Sequence, residues 1–218
     1  MSNTAVLLVD PYNDFLHEEG KLYNRLAESI KDSGTITHLF EVVKAARAAK
    51  IPIFYCMHQQ TNTHTFKGWS YLNASQKGLG SKMVFEEGSF GAQFYRDLEP
   101  DFEAGDVLVS KHWNSSSFAN TDLDYQLRKR GITKVVMAGL VANTCIESTA
   151  RYAYEHGYEI TMLALLTVFL SFLVVRSDAT AGFSSELKNV ATNLVWPLIA
   201  NKVITAAEWA DSIKTDAT

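Results

Sequence analysis

Three residues with reactive side chains each follow a short apolar run in this 218-residue chain. Asp10 follows AVLLV, Lys111 follows DVLVS, and Cys145 lies a few residues after KVVMAG. A carboxylate can take the proton of a thiol, and the resulting thiolate can attack a carbonyl carbon, while a lysine steadies the charges. If the fold brings the three side chains together, the sequence predicts a thiol hydrolase site.

The elements around these residues predict how the fold would bring them together. Unbroken apolar runs that alternate with helical patterns are typical of a parallel sheet covered on both faces. We therefore expect an α/β fold, a three-layer αβα domain with a six-stranded parallel sheet and helices on both faces. Ligands bind such sheets beyond the carboxyl ends of the strands, where all three residues are expected. The expected strands are 5–9, 51–56, 106–110, 134–139, one from Tyr158, and 203–205, and residues 57–88 are expected to form a lid or insertion loop.

Cys145 is expected in the first turn of a helix that ends near Gly157. A helix N-terminus stabilises an anion by roughly 0.3–1 kcal/mol, and a nearby lysine adds to this effect. We therefore expect the pKa of this thiol to lie below its ordinary value of about 8.5. The backbone N–H groups of residues 141–145 are candidates for holding an oxyanion.

Each reactive residue also has a simpler interpretation when it is considered alone. Cys145 could be an inert buried cysteine, since free cysteine is often buried. Asp10 could be a turn residue before Pro11, and Lys111 could be an ordinary surface lysine. Their shared position at one sheet edge favours the chemical interpretation over three coincidences.

Composition restricts the class of protein. A chain that is 47% hydrophobic with a net charge of −4 suits one globular domain over residues 1–218 and favours neither nucleic acid nor an anionic membrane as a partner. The two cysteines form no Cys-x-x-Cys motif, and the N-terminus lacks the basic and apolar segments of a signal peptide. We therefore expect a cytoplasmic protein that acts on a small molecule.

Three segments resemble the isochorismatase-like cysteine hydrolases, a family that includes nicotinamidases and N-carbamoylsarcosine amidase. They are LLVDPYNDF around Asp10, SKHWNSSSFANTDLDYQLRKRGITKVVMAGLVANTC from Lys111 to Cys145, and SDATAGFS at 177–184. The resemblance implies an Asp10–Lys111–Cys145 triad and a homodimer or homotetramer. It also implies a cis peptide bond between Val141 and Ala142, with an oxyanion hole formed by the N–H groups of Ala142 and Cys145.

The chain departs from this family where nicotinamidases have an Asp-x-His metal motif. Cys56-Met57-His58 stands there, so His58 and the later His64 lack a carboxylate partner. We therefore expect no metal and no other cofactor. The aromatic residues near the site indicate a flat or ring-containing substrate, although aromatic residues more often fill a core. The expected substrate-binding residues are Phe15, His58, Trp69, Trp113 and Phe118.

An apolar run at Ile160–Val175 is a second departure. About a dozen residues, 164–176, are additional to the family pattern between EITML and SDATAGF. The run is shorter than the ~20 residues of a membrane-spanning helix. We interpret the run as an over-long buried strand or a strand followed by a buried helix. The alternatives for the insertion are an oligomer interface element and translated non-coding sequence.

The resemblance leaves three functions to compare. The first is hydrolysis of a small amide or imide C–N bond through a thioester on Cys145. The second is vinyl-ether hydrolysis of the isochorismatase type, in which Asp10 protonates the enol carbon and Cys145 is dispensable. The third is a non-catalytic interaction protein on the same scaffold.

Overall fold

A computed structural model of the chain describes residues 3–164 and 178–215. Within these residues, strands and helices alternate along the chain as expected for an α/β fold. The strands are β1 (Thr4–Val9), β2 (Ile53–Cys56), β3 (Val107–Leu108), β4 (Lys134–Leu140), β5 (Glu159–Leu163), β6 (Thr180–Ala181) and β7 (Lys202–Ile204). The helices are α1 (Asn13–Leu16), α2 (Tyr23–Ser33), α3 (Thr35–Ala48), α4 (Ala74–Lys82), α5 (Leu123–Lys129), α6 (Glu147–Glu155), α7 (Ser185–Val190) and α8 (Ala206–Thr215).

The strands form one parallel sheet in the order β3-β2-β1-β4-β5-β7, which confirms the predicted α/β architecture. β6 was not predicted and pairs with the carboxyl end of β4. A strand of two residues is too short to show a period in the sequence. β3 also has only two residues, fewer than the run 106–110 suggests.

The side chains of β1 alternate between two cores, one on each face of the sheet. Val6 and Leu8 belong to a core with helices α2, α3 and α8, whereas Leu7 and Val9 belong to a core with helices α5 and α6. All four are fully buried. Because successive strand residues point to opposite faces, a strand buried on both sides must be apolar throughout, as AVLLV is.

The segment 57–88, expected to be a loop, contains helix α4. Asn73 caps the helix: its side chain accepts the N–H of Gln76, whose side chain accepts the N–H of Asn73 in return. Gly78 and Gly80 lower the helix propensity, and the helix has few apolar residues to give a period. For these reasons the sequence did not predict helix α4.

The insertion at 164–176 lies outside the described residues, apart from Ala164. β5 ends at Leu163, and the N–H of Ala164 still donates to the carbonyl of Ile204 at the end of β7. Within the described residues, no helix has both the length and the apolar character needed to cross a membrane.

Candidate active site

Asp10 is placed at the carboxyl end of β1 by an unusual backbone conformation. Its φ is 53°, in the left-handed region, and its side chain is fully buried. The neighbouring strand supplies Gly139, with φ 117°, where a Cβ would lie 2.1 Å from the carbonyl oxygen of Val9. Only glycine fits there, so β4 can approach β1 closely where the Asp10 carboxylate turns out of the sheet.

The two oxygens of the Asp10 carboxylate have different surroundings. Oδ1 accepts the backbone N–H of His58 at 2.6 Å and lies 3.2 Å from Nε2 of His112. Oδ2 is buried and has no hydrogen-bond partner among the residues that the structure describes. One oxygen is therefore fixed, and the other is free to take part in chemistry.

His112 is the charged partner of Asp10. Its imidazole is fully buried, and Nδ1 lies 2.6 Å from the carbonyl oxygen of Asn114. A carbonyl oxygen only accepts hydrogen bonds, so Nδ1 carries a proton, and Nε2 shares a second proton with Oδ1 of Asp10. Burial alone lowers the pKa of His112, but the Asp10 carboxylate and the Asn114 carbonyl together raise it above its ordinary value.

His58 lies at the same site, but its ring is neutral, unlike that of His112. Its Nδ1 lies 2.8 Å from the carbonyl of Gln59 and therefore donates to it. Burial, together with the charge of His112, lowers the pKa of His58 to about 4. The ring is neutral at pH 7, so its Nε2 carries a lone pair that can accept a hydrogen bond.

Cys145 lies in a π-helical turn, Ala142–Ile146, that leads from β4 into α6. Its side chain is 8% exposed and lines the same cavity as Asp10. Burial raises the pKa of the thiol well above its ordinary value, and the negative charge of Asp10 is the second cause. The predicted lowering of this pKa is therefore corrected, because desolvation outweighs the helix N-terminus.

We expect alkylation of Cys145 by iodoacetamide to be slow at pH 7 and to accelerate about tenfold per pH unit beyond pH 9, because only the thiolate reacts. Mass spectrometry of the Cys145 peptide between pH 6 and 10 measures this rate, and the urea-unfolded chain supplies the reference thiol. A rate that is already at its plateau below pH 7 would contradict the raised pKa and indicate a thiolate formed before the substrate binds.

The cis peptide bond lies between Leu140 and Val141, one residue earlier than the resemblance implied. Val141 itself is extended, with φ −104° and ψ 139°, and the helical turn begins at Ala142. The change in direction thus falls at the last residue of β4. Ala142, expected in the oxyanion hole, is the first residue of the turn and is buried.

Lys111 does not join Asp10 and Cys145 in the structure. Its ammonium donates to Oε1 of Gln60 at 2.8 Å. Burial lowers the pKa of Lys111, and the carboxylate that partly offsets this effect is that of Glu87. His112, the next residue, occupies the position beside Asp10 that the sequence assigned to Lys111.

The cavity beside Cys145 is small, about 110 Å³. Two of the five expected substrate-binding residues, Phe15 and His58, line it. Other lining residues were not singled out from the sequence, because they come from separate segments that only the fold brings together. They are Leu22, Ser75, Leu79, Phe85, Asn114, Ser115, Thr144 and Phe183.

Trp69, Trp113 and Phe118 lie elsewhere. The rings of Trp69 and Trp113 pack on each other at 5.3 Å, and Trp69 is 44% exposed. Phe118 is buried among the aromatic rings of α6 and its neighbourhood, with Tyr152 and His156 stacked on it. None of the three is among the residues that line the cavity beside Cys145.

His58 and His64, which lack the carboxylate partner of the nicotinamidase metal motif, have different surroundings. His58 faces the cavity, whereas His64 is exposed in the turn that follows it. Among the described residues, no group of three or more histidine, cysteine, aspartate or glutamate side chains is arranged to hold a metal ion.

Comparisons with known proteins agree with this fold. The Isochorismatase domain family matches residues 4–208. The ureidoacrylate amidohydrolase RutB of Agrobacterium fabrum is 30% identical over 172 residues, 74% of each chain. A cysteine hydrolase from Pseudomonas syringae pv. phaseolicola has a TM-score of 0.75 at 22% identity, covering 99% of this chain and 95% of its own. N-carbamoylsarcosine amidase from Thermoplasma acidophilum has a TM-score of 0.62 at 23% identity, covering 93% of this chain and 95% of its own. The two solved structures support the fold alone, whereas the domain match and the sequence relative place the chain in the isochorismatase family of hydrolases.

Proposed function

We propose that the protein hydrolyses the C–N bond of a small amide through a thioester on Cys145. One observation carries the proposal: Oδ2 of Asp10 is buried, has no partner among the described residues, and belongs to a carboxylate that shares a cavity with the Cys145 thiol. A buried carboxylate oxygen without a hydrogen bond destabilises the fold, so its presence needs an explanation, and a catalytic role is one. Taking the thiol proton is such a role.

The proposed reaction balances with these two side chains and water. Asp10 takes the proton of Cys145, and the thiolate attacks the amide carbonyl carbon to form a tetrahedral intermediate. The intermediate collapses, Asp10 returns the proton to the leaving nitrogen, and ammonia or an amine departs. Asp10 then takes a proton from water, the hydroxide attacks the thioester, and the product acid leaves as the thiol is restored.

The raised pKa of Cys145 gives this order of events. A thiol that is protonated at rest needs a base at the moment of attack, and Asp10 is the carboxylate beside it. The same proton is then available for the leaving group. A thiolate whose proton had already gone to solvent would need no base for attack, and that proton would not be available to the leaving amine.

We propose that backbone N–H groups of the turn before α6 hold the oxyanion. The first N–H groups of a helix lack acceptors within the helix, and Ala142 is the first residue of the turn that contains Cys145. The N–H groups of Ala142 and Cys145 are the candidates for donating to the negative oxygen of the tetrahedral intermediate.

We assign to His112 the positioning role that the sequence suggested for Lys111. An imidazolium that shares a proton with Oδ1 neutralises the carboxylate and fixes its plane, so that Oδ2 can face the thiol. Its second contact, with the Asn114 carbonyl, fixes the ring itself. His112 thus acts through Asp10 and does not line the cavity.

The family supports an amide as the substrate. The sequence relative from Agrobacterium fabrum is named for an amidohydrolase activity. Cys145 supplies a nucleophile for that chemistry, which vinyl-ether hydrolysis does not require. The acyl-enzyme provides the direct test: after rapid acid quenching with a turned-over amide, the intact mass should increase by the acyl group, and hydroxylamine should remove it. If steady-state turnover occurs while neither quenching nor hydroxylamine trapping reveals an acyl group on Cys145, the thioester is excluded.

His112→Gln is expected to lower kcat/KM by about 10²-fold, whereas Lys111→Gln should change it by less than about threefold. Glutamine can still donate to Oδ1 of Asp10 but cannot carry a positive charge. Wild-type activity should fall as the pH rises through the raised pKa of His112, which gives the pH–activity profile an alkaline limb. This limb should be absent in His112→Gln.

Circular dichroism melting curves control for unfolding of both variants. The pH profile separates the positioning role from a merely structural one, since a loss of stability alone would leave the limb in place. A large loss in Lys111→Gln together with a small loss in His112→Gln would restore the triad expected from the sequence.

A further inference from the structure

The cavity beside Cys145 has walls of apolar side chains. Phe15, Leu22, Phe85 and Phe183 come from four separate segments, and α4 adds Leu79. The volume, about 110 Å³, is well below the roughly 300–1,000 Å³ of typical ligand pockets. The walls thus favour a small substrate whose non-reacting part is apolar.

The charges in and around the cavity are arranged against a second anion. Among the described lining residues, Asp10 is the ionisable acid, none is a lysine or arginine, and His58 is neutral at pH 7. The cations of neighbouring segments have other partners: His112 pairs with Asp10, Lys111 donates to Gln60, and Arg25 lies over the Phe183 ring at 4.6 Å from its centroid. Because His112 is already paired with Asp10, a substrate carboxylate would lose its hydration there with no further cation among the described lining residues to replace it.

One lining residue offers a specific hydrogen bond. Because Nδ1 of His58 donates to the Gln59 carbonyl, Nε2 can only accept, and it has no partner in the part of the chain that the structure describes. An uncharged carboxamide supplies the matching N–H donor. A carboxylate in the same place supplies only further lone pairs.

We propose that the substrate of Cys145 is a small, uncharged carboxamide with an apolar remainder, and that the site rejects amides that carry a carboxylate. The proposal rests on the amide hydrolase function proposed above and specifies which class of amide is the substrate. It also separates this chain from its relative in Agrobacterium fabrum, which is named for ureidoacrylate, a substrate that contains a carboxylate.

Two alkylating reagents test the charge selectivity without requiring turnover. Iodoacetamide and iodoacetate differ by an uncharged amide in place of a carboxylate, and both report on Cys145 through the mass of its peptide. At pH 9, the ratio of their rates at Cys145 should exceed the ratio in the urea-unfolded chain by at least about tenfold. An equal ratio in the folded and unfolded chains would overturn the proposal.

A variant of α4 tests whether the absence of a cation is the cause. Ser75 lies at the cavity and is exposed, so Ser75→Arg adds a guanidinium there without removing a packed side chain. Ser81, exposed on the same helix but not at the cavity, gives the matched control Ser81→Arg. Ser75→Arg should lower the reagent ratio at least threefold, and Ser81→Arg should leave it unchanged. Equal effects of the two variants would contradict the proposal.

Hydrolysis of butyramide and succinamate, which differ by a carboxylate in place of a methyl group, completes the test. We expect kcat/KM for butyramide to be at least about 10²-fold higher. Faster hydrolysis of succinamate would overturn the substrate class while leaving the hydrolase function intact. A selective reagent ratio with no hydrolysis of any amide would support the charge selectivity and count against the hydrolase function.

Discussion

Cys145→Ala should abolish amide hydrolysis, with kcat/KM lowered by about 10⁴-fold or more. Among the described residues, Cys145 is the only cysteine that shares the cavity with the Asp10 carboxylate, and it belongs to the turn proposed to hold the oxyanion. Alanine removes only the sulfur, so the turn and the surrounding core should remain. Ammonia release from a small amide, measured at matched protein concentrations and below the melting temperature, gives the result.

Cys56→Ala is the matched control for that loss. Cys56 is also buried, lies at the end of β2, and its thiol pKa is also raised by burial and by the charge of Asp10. It does not line the cavity, so its removal should leave hydrolysis within about threefold of the wild type. A Cys145→Ala variant that keeps full activity on a vinyl ether would favour the isochorismatase type of reaction, in which Asp10 protonates carbon.

The sheet and its reactive edge could be predicted because their signals are local. Each apolar run contains its own strand, and the strand ends in the sequence place Asp10 and Cys145 at one edge of a parallel sheet. The Thr-x-x-Glu spacing of Thr205 and Glu208 is an equally local signal, typical of a capping box, and both hydrogen bonds of that box are present at the start of α8. No partner from elsewhere in the chain is needed to recognise these features.

The identity of the cation beside Asp10 could not be predicted in the same way. Lys111 and His112 are neighbours just beyond β3, and in extended backbone two successive side chains point in opposite directions. A shift of one residue therefore exchanges the side chain that faces Asp10 for the one that faces away. The structure pairs His112 with His58 in a parallel bridge, and this register directs His112 towards Asp10.

The direction of the Cys145 pKa shift depended on tertiary burial. The sequence showed a helix start and a lysine, both of which lower a thiol pKa. It did not show that the thiol would be 8% exposed or that Lys111 would contact Gln60. Without the lysine, desolvation has the largest effect on the pKa of Cys145 and raises it.

Asp10→Asn is the second change with a large expected effect, a loss in kcat/KM of about 10³-fold. An amide cannot take the thiol proton, and the structure offers Cys145 no other carboxylate in its cavity among the described residues. The fold should tolerate the change, because asparagine is one of the few residues that readily adopts the left-handed φ of 53° found at Asp10. The Oδ1 of asparagine can also still accept the N–H of His58.

Asp106→Asn provides the control for the loss of a buried carboxylate. Asp106 is buried and accepts hydrogen bonds from Arg47 and from the N–H of Asp101, at the opposite end of β3 from the site. This variant should melt at a lower temperature yet keep its activity per folded molecule, whereas Asp10→Asn should show the reverse pattern. If both variants lost activity only in proportion to their unfolded fraction, Asp10 would be a structural residue. If Asp10→Asn stayed folded and inactive, proton transfer through Asp10 would account for the site's free carboxylate oxygen.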